Sequence, residues 1–437
     1  MNYTAAEVEQ YVQEMDVKFV RLAFTDLFGT LKNISILAEE LPRAFRDGVS
    51  FDASAVAGFL KVEKSDLLLM PDPSTLAVLP WRPQQGRVVR MYCDIVYPDG
   101  QPFEGDGRHI LRRAVERAKA MGYSAMFGPE CEFYLFELDD RGRATRIPHD
   151  EAGYLDVAPL DRGENVRREI CLTLQEMDVY PESSLHEQGP GQNEIDFKYS
   201  DPLKAAENLI TFKTVVRTIA ARNGLAACFL PKPLPGKSGS GLHVNISLFR
   251  NGLNIFKNDP FQHCPEAERF IAGVLAHTPE LTAFLNPVPG SYRRLGEFEA
   301  PRYATWSHEN RSQLIRIPAA KGEHARMELR SPDPCLNPYL AFALLLEAGL
   351  RGIRDGVPLP PPVNMNLYDA AAGQLAGLVQ LPDSLEKAVR LAEQSELIAS
   401  CLPKATRDMY LTQKATEWAD YCAAPDPAAY EAAHEIS

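Results

Sequence analysis

The segment Gly128-Pro-Glu130-Cys-Glu132-Phe-Tyr-Leu-Phe136 narrows the folds open to this chain more than any other stretch. It is rich in aromatic residues and opens on Gly-Pro, the signature of a strand. Side chains alternate along a strand, so Glu130 and Glu132 project from one face. Two adjacent carboxylates repel unless a cation lies between them or water covers both. A solvated strand surface meets the second condition. The apolar residues around the pair favour burial, and with burial the cation.

Composition bounds the kind of protein that carries this strand. Of 437 residues, 45% are hydrophobic and 24% charged, ordinary globular values that exclude disorder and collagen-like repeats. Lys and Arg number 46 against 59 Asp and Glu, a net charge of −13. An acidic chain is poorly matched to nucleic-acid phosphates. No run approaches the ~18 apolar residues of a membrane span. Met1 to Asp16 is polar and acidic, unlike a secretory leader. The eight cysteines form no CxxC pair and sit mostly in apolar runs, as at Cys171 and Cys228. They read as buried free thiols rather than zinc ligands, and a cytoplasmic location is expected.

The length allows roughly two to three domains. Turn clusters at Pro98-Asp99-Gly100 and Gly105-Asp106-Gly107 predict a small strand-rich domain over 1–105 and a large domain over 106–437. In the first, Thr4 and Glu7 form a capping box for an amphipathic helix. Val17 to Phe24 and Lys32 to Leu37 read as a hairpin, with further strands at Asp66 to Met70 and Val88 to Ile95. In the second, helices are predicted at Ile110–Met121, Asn165–Met177, Ala205–Asn223, Cys264–Leu285, Pro338–Asp355 and Ser384–Ala399. Short strands alternate with them, so the class is α+β.

Three further segments repeat the theme of charge on a strand face. His186-Glu187 and Gln192-Asn193-Glu194-Ile-Asp196 flank a Gly-Pro-Gly turn, which on its own is also a charged hairpin. Ser238-Gly-Ser-Gly241-Leu-His243-Val-Asn245-Ile-Ser247 joins a glycine loop to a strand that carries His243, Asn245 and Ser247 on one face. Arg326-Met-Glu328-Leu-Arg330 aligns Arg326, Glu328 and Arg330, with Arg311 and Arg316 upstream. Singly, each has a bland reading as a salt-bridged surface or a structural histidine. Together, five glutamates and one histidine make a two-cation cage. Oxygen donors favour Mg²⁺ or Mn²⁺ over zinc. The arginines point to an anionic substrate and a transferring phosphoryl group. There is no GxxxxGK[ST] loop, so the chain is not a Walker-type ATPase. On these residues alone, a two-metal phosphohydrolase also fits.

These segments, in this order, resemble glutamine synthetases of the bacterial type I class. The likeness runs from about residue 15 to the C-terminus. It includes RLAFTDLFGTLKN (21–33), FGPECEFYLFE (127–137), HEQGPGQNEIDFKY (186–199), PKPLPGKSGSGLHVN (231–245), NRSQLIRIP (310–318) and ARMELRSPDP (325–334). The resemblance implies a small N-terminal β-grasp domain and a large catalytic domain with a curved antiparallel sheet and flanking helices. It implies a dodecamer of two hexameric rings with shared active sites. The implied activity joins glutamate and ammonia through a γ-glutamyl phosphate, with ATP as co-substrate and two or more Mg²⁺ or Mn²⁺ ions per site.

Carried over by position, Glu132, Glu187 and Glu194 match the ligands of one metal, and Glu130, His243 and Glu328 those of the second. Arg294 and Arg330 match the arginines that hold the substrate glutamate, with Ser238 and Gly239 beside it. Arg311, Arg316 and Arg326 match phosphate-facing arginines. Glu182, Tyr199, Asn245 and Ser247 fall at nucleotide positions. Asp52 matches an ammonium-binding aspartate reaching in from a neighbouring subunit, and Glu299 the glutamate of a mobile flap. The family's usual Asp-Gly-Ser-Ser is Asp52-Ala53-Ser54-Ala55 here. The flap, Arg294-Leu-Gly-Glu297-Phe-Glu299-Ala-Pro301, is one residue shorter and carries an extra carboxylate. Ser238 stands where Asn is usual. These departures surround the nucleophile pocket and suggest an alpha-like subclass with an altered flap. They leave a γ-glutamyl-amine ligase using a small amine or polyamine as the nearest alternative, and an inactive oligomeric homologue as a more distant one.

Overall fold

The computed structural model describes residues 3–82, 85–257 and 264–434. The capping box is present at the start of helix Ala5–Glu14, where the Thr4 hydroxyl accepts from Glu7 N and the Glu7 carboxylate accepts from Thr4 N. Six strands then form one sheet: β1 (Val17–Thr25), β2 (Leu31–Leu37), β3 (Val49–Asp52), β4 (Asp66–Pro71), β5 (Ala77–Val78) and β6 (Arg87–Val96). Their order is β2-β1-β6-β4-β3, with β5 on β6. The predicted hairpin is β1–β2. The central β1–β6 pair is parallel, a pairing between distant segments that no local pattern announces.

Ten strands build the second sheet: β7 (Tyr123–Leu138), β8 (Ala144–Pro148), β9 (Pro181–His186), β10 (Gln192–Phe197), β11 (Leu225–Cys228), β12 (Leu242–Arg250), β13 (Leu253–Asn254), β14 (Trp306–His308), β15 (Ile315–Ile317) and β16 (Met327–Leu329). The order β14-β15-β16-β12-β7-β10-β9 puts the long β7 near the middle. The sheet is antiparallel except at one edge, where β14 and β15 run parallel. It is therefore a mixed sheet in an α+β fold.

Alternation gives this sheet two chemically different faces. Phe127, Cys131 and Phe133 of β7 are fully buried and join the large hydrophobic core, together with Ile195, Val244, Ile246, Met327 and Leu329. Helices cover that side. Phe342 of helix Pro338–Asp355 packs on Phe127 at 4.9 Å between ring centres. Phe212 of helix Pro202–Arg222 packs on Phe197 at 4.8 Å and on Phe133 at 5.9 Å. Each such side chain contributes about 1.5–3 kcal/mol by leaving water. Helices Pro202–Arg222, Pro265–Leu285 and Pro338–Asp355 all begin on proline, which needs no hydrogen-bond partner there and is already bent to helical φ.

The two sheets share packing. Ala23, Leu27 and Tyr92 of the first belong to the core of the second. The buried Arg108 ties the first sheet to helix Pro202–Arg222, reaching Asp72 at 2.7 Å, Asp94 at 2.6 Å and Glu207 at 2.8 Å. One predicted helix is divided. In place of Ser384–Ala399 there are Leu385–Gln394 and Glu396–Cys401, with Ser395 between them. Ser395 is extended, at φ −73° and ψ 116°, and its hydroxyl accepts from Ile398 N, so it stops one helix and caps the next. All eight cysteines are free; Cys93, Cys131, Cys228 and Cys401 are buried as expected, Cys171, Cys264 and Cys335 only partly so, and Cys422 is exposed. No helix among the described residues is long and apolar enough to cross a membrane.

Candidate active site

The face of the large sheet turned away from the helices gathers charge because of register. Residues directly opposite on neighbouring strands share a face. On β7, Glu130 pairs with Asp196 of β10 and with His243 of β12, while Glu132 pairs with Glu194. One row over, Gly128 pairs with Asn245, Asn245 with Glu328 of β16, and Glu328 with Arg316 of β15. Glu130, Glu132, Glu187, Glu194 and His243 together line a cavity of about 280 Å³.

Two overlapping groups of ligand atoms lie within 4.8 Å: Glu132, Glu187 and Glu194, and Glu130, Glu194 and His243. Their electrostatics are frustrated. Burial, then Glu187, pushes the Glu132 carboxyl up to about 8. Burial, then Glu132 and Asp196, raises Glu194 well above the usual carboxylate range. Glu187 is raised by burial and by Glu299. Burial, then Arg330, lowers His243, keeping its imidazole neutral and able to ligate. Clustered carboxylate oxygens, one neutral imidazole and unrelieved repulsion fit a hard divalent cation.

Glu328 is placed differently. Burial alone would raise its carboxyl, but Arg330 and Arg316, joined by His243 once acid protonates it, hold it at about 2. Its oxygens lie 2.6 Å from Arg316 Nη1 and 2.5 Å from Arg330 Nη1. His243 Nδ1 is 3.6 Å away. Glu194, rather than Glu328, completes the tight trio with Glu130 and His243, and Glu328 sits one step behind them.

Arg294, Arg311, Arg316, Arg326 and Arg330 also line the cavity. Arg294 is buried, and Nη1 donates to the Ser331 carbonyl at 2.7 Å while Nη2 donates to the Arg330 carbonyl at 3.2 Å. Ser238 and Gly239 form another wall. A Cβ on Gly239 would lie 2.3 Å from the Pro231 carbonyl, and one on Gly241 would lie 2.6 Å from Arg294 Nη2. The loop's glycines thus admit close approach to the protein's own backbone and guanidinium, and Gly241 N donates to Glu132 at 2.8 Å.

Glu299 reaches over the cavity from a tight turn. Ala300 N donates to the Glu297 carbonyl at 3.0 Å, with Phe298 and Glu299 at φ 45° and 66°. Both are non-glycine residues in the left-handed region, at a cost of about 1–2 kcal/mol each. Gln188 Nε2 donates to Glu299 at 3.2 Å, and Arg330 Nη2 is 3.8 Å from the same carboxylate.

Other predicted residues lie outside the cavity lining. Asn245 bridges Glu130 at 2.7 Å and Arg326 at 2.8 Å. Ser247 donates to the Ala325 carbonyl. Tyr199 is half-exposed beside Gly128, and Glu182 is exposed on β9. Asp52 ends β3 in the first sheet, exposed and accepting from Ser54, so it takes no part in the cavity of its own chain.

Cavity residues passed over in the sequence include Gln188, Gln192, Asp196, Tyr154 and Phe298. Gln192 is fully buried, and Nε2 donates to Glu132 at 3.0 Å and to the Gly239 carbonyl at 3.1 Å. Burial, then Glu130, pushes Asp196 up to about 7. The signal was available, because period two from Glu194 puts Gln192 and Asp196 on its face. A third acidic cluster, Asp150, Asp161 and His186, is already satisfied. His186 bonds Asp150 at 2.9 Å and the Glu187 carbonyl at 2.7 Å, while Asp161 pairs with Arg167.

Comparison with known proteins bears on this geometry. The model for the glutamine synthetase β-grasp domain matches residues 16–98, and that for the glutamine synthetase catalytic domain matches 104–433. A glutamine synthetase from Clostridium saccharobutylicum is 48% identical over 96% of both chains. One from Methanosarcina mazei is 46% identical over 97% of this chain and 96% of its own. Among solved structures, GmaS in complex with ADP superposes with a TM-score of 0.87 at 32% identity, covering 98% of both chains. The Plasmodium falciparum glutamine synthetase, at 24% identity and a TM-score of 0.86, has the same fold.

Proposed function

Because the chain belongs to the glutamine synthetase family, we propose that the carboxylate-lined face of its large sheet is where ATP, glutamate and ammonium meet. The activity is ATP-dependent formation of glutamine from glutamate and ammonia, and the family works with ATP and divalent metal ions. Full-length relatives named glutamine synthetase favour ammonia over the amine acceptors. The ions are Mg²⁺ or Mn²⁺, two or more per site. Glu132, Glu187 and Glu194 would hold one, and Glu130, His243 and Glu328 the other, with Glu194 as the wall between them. When bound, the ions supply positive charge to phosphoryl oxygens.

The chain's own residues do the rest. Arg294 and Arg330 fork the substrate glutamate, with Ser238 and Gly239 beside it. Glu182, Tyr199, Asn245 and Ser247 border the nucleotide. Arg311, Arg316 and Arg326 neutralise the phosphates as the γ-phosphoryl group passes to the glutamate γ-carboxylate, leaving ADP. Ammonia then forms the new C–N bond and phosphate departs. Before that, ammonium gives a proton to Glu299 or to Asp52. Asp52 lies outside its own cavity, which suits delivery from a neighbouring subunit in a dodecamer of two hexameric rings. The division at 105/106 separates the two sheets, and the location is cytoplasmic.

The observation that carries this reading is the convergence of five glutamates and His243 with five arginines in one cavity. The test is phosphate release and glutamine formation from ATP and glutamate, with ammonium compared against methylamine, ethanolamine and putrescine. Ammonium should give the highest kcat/KM. An amine better by about tenfold, roughly 1.4 kcal/mol, would shift the reading to an amine ligase. Phosphate release without glutamate would make it a phosphohydrolase.

A further inference from the structure

The flap turn is held from behind by a residue that the reaction scheme leaves unused. Lys232 is 7% exposed, and its ammonium makes three contacts. Nζ lies 2.9 Å from Glu297 Oε2, donates to the Lys237 carbonyl at 2.7 Å, and sits 4.4 Å from the centre of the Phe298 ring. Glu297 and Phe298 immediately precede Glu299. Lys237 opens the Ser238–Gly241 loop, and the Pro231 carbonyl, next to Lys232, accepts from Ser240 N at 3.0 Å. One cation therefore ties the flap to the loop that faces the amino-acid substrate. The turn it grips has Phe298 and Glu299 in the left-handed region, a conformation that persists only when surroundings enforce it. Glu297 lies two residues before Glu299 in the same turn.

We propose that Lys232 is a positioning residue: by pairing with Glu297 and covering the face of Phe298, it latches the flap against the Ser238–Gly241 loop and keeps Glu299 over the cavity while the acyl phosphate awaits ammonia. The proposal rests on the ligase reading above. Releasing the latch opens the site to water. Water oxygen then bonds the γ-carbon and the bond from that carbon to the phosphate oxygen breaks. Glutamate and phosphate return, a proton passes to solvent, and the net reaction is ATP hydrolysis.

The experiment measures phosphate released per glutamine formed at saturating ATP, glutamate, ammonium and Mn²⁺. The intact enzyme should give about one. Lys232→Met should raise the ratio about threefold and Glu297→Gln about twofold, with Lys232→Arg restoring a value near one. The Glu297 side chain is 55% exposed, so Glu297→Gln keeps the test alive if Lys232→Met fails to fold. A ratio of one in every variant that folds, including one reached by parallel loss of phosphate and glutamine, overturns the latch. No glutamine from the unmutated enzyme would instead overturn the ligase reading.

Discussion

Replacing Glu132 by Gln should stabilise the metal-free chain while abolishing its response to metal. The Glu132 carboxyl is pushed from an ordinary 4.5 to about 8 by burial and by Glu187. A carboxyl raised on folding favours the fold at low pH. Its contribution is lost as pH rises from the unfolded value through the folded one. The penalty is therefore small at pH 5.5, about 1 kcal/mol, and grows to about 4 kcal/mol at pH 8. Glutamine has the same shape and no charge. Its carbonyl can keep the bonds that one oxygen now accepts from Gly241 N at 2.8 Å and Gln192 Nε2 at 3.0 Å. At about 2 °C per kcal/mol for a chain of this size, Glu132→Gln should raise the Tm by about 8 °C at pH 8 and by about 2 °C at pH 5.5. The assay is thermal unfolding in chelator at the two pH values, repeated with saturating Mn²⁺. The parent chain should gain stability from Mn²⁺, increasingly at higher pH, and the variant little. A variant no more stable than its parent at pH 8, or shifted equally at both pH values, would mean that Glu132 carries no such buried-charge penalty.

Glu299→Ala should lower kcat for glutamine formation by about 10²–10³-fold while nucleotide affinity, measured by calorimetry, stays within about twofold; full turnover would remove the flap assignment. Glu328→Gln strands Arg316 and Arg330, which flank a buried carboxylate held at about 2. It should cost about 3–5 kcal/mol at neutral pH. Glu328 is depressed on folding, so its contribution is present above pH 4.5 and fades as pH falls through 2, and an equally large loss at pH 2 would contradict this. Ser395→Ala removes the cap between two short helices and should cost about 1 kcal/mol in denaturant unfolding, with catalysis unchanged.

The strand faces were legible because period two needs only local sequence. Glu130 with Glu132, His243 with Asn245, and Glu328 with Arg330 each follow from their own segment. Which rows meet was not legible, because Glu194 opposite Glu132 and Glu328 opposite Asn245 are register choices between distant strands. The same gap hid the parallel β1–β6 pair. Gln192 and Asp196 share the face of Glu194 by the same period, but an amide and a second acid beside a glutamate carry no separate signal of their own. Ser395 was absorbed into a helix because the apolar spacing continues across it, and only the backbone reveals the cap. The Lys232–Glu297 contact joins residues 65 apart through a turn whose left-handed backbone no propensity predicts. Family likeness supplied groupings that spacing alone does not, and geometry refines them by seating Glu194 between both ligand sets.

Whether divalent ions sit on this sheet face can be seen by anomalous diffraction from crystals grown with Mn²⁺ and an ATP analogue. Manganese peaks should appear on the charged face of the large sheet, within coordination distance of Glu132, Glu187 and Glu194 and of Glu130 and His243, with Glu328 turning toward the second. Manganese at the Asp150–Asp161–His186 cluster instead, or a carboxylate face that binds no ion while nucleotide is bound, would contradict it.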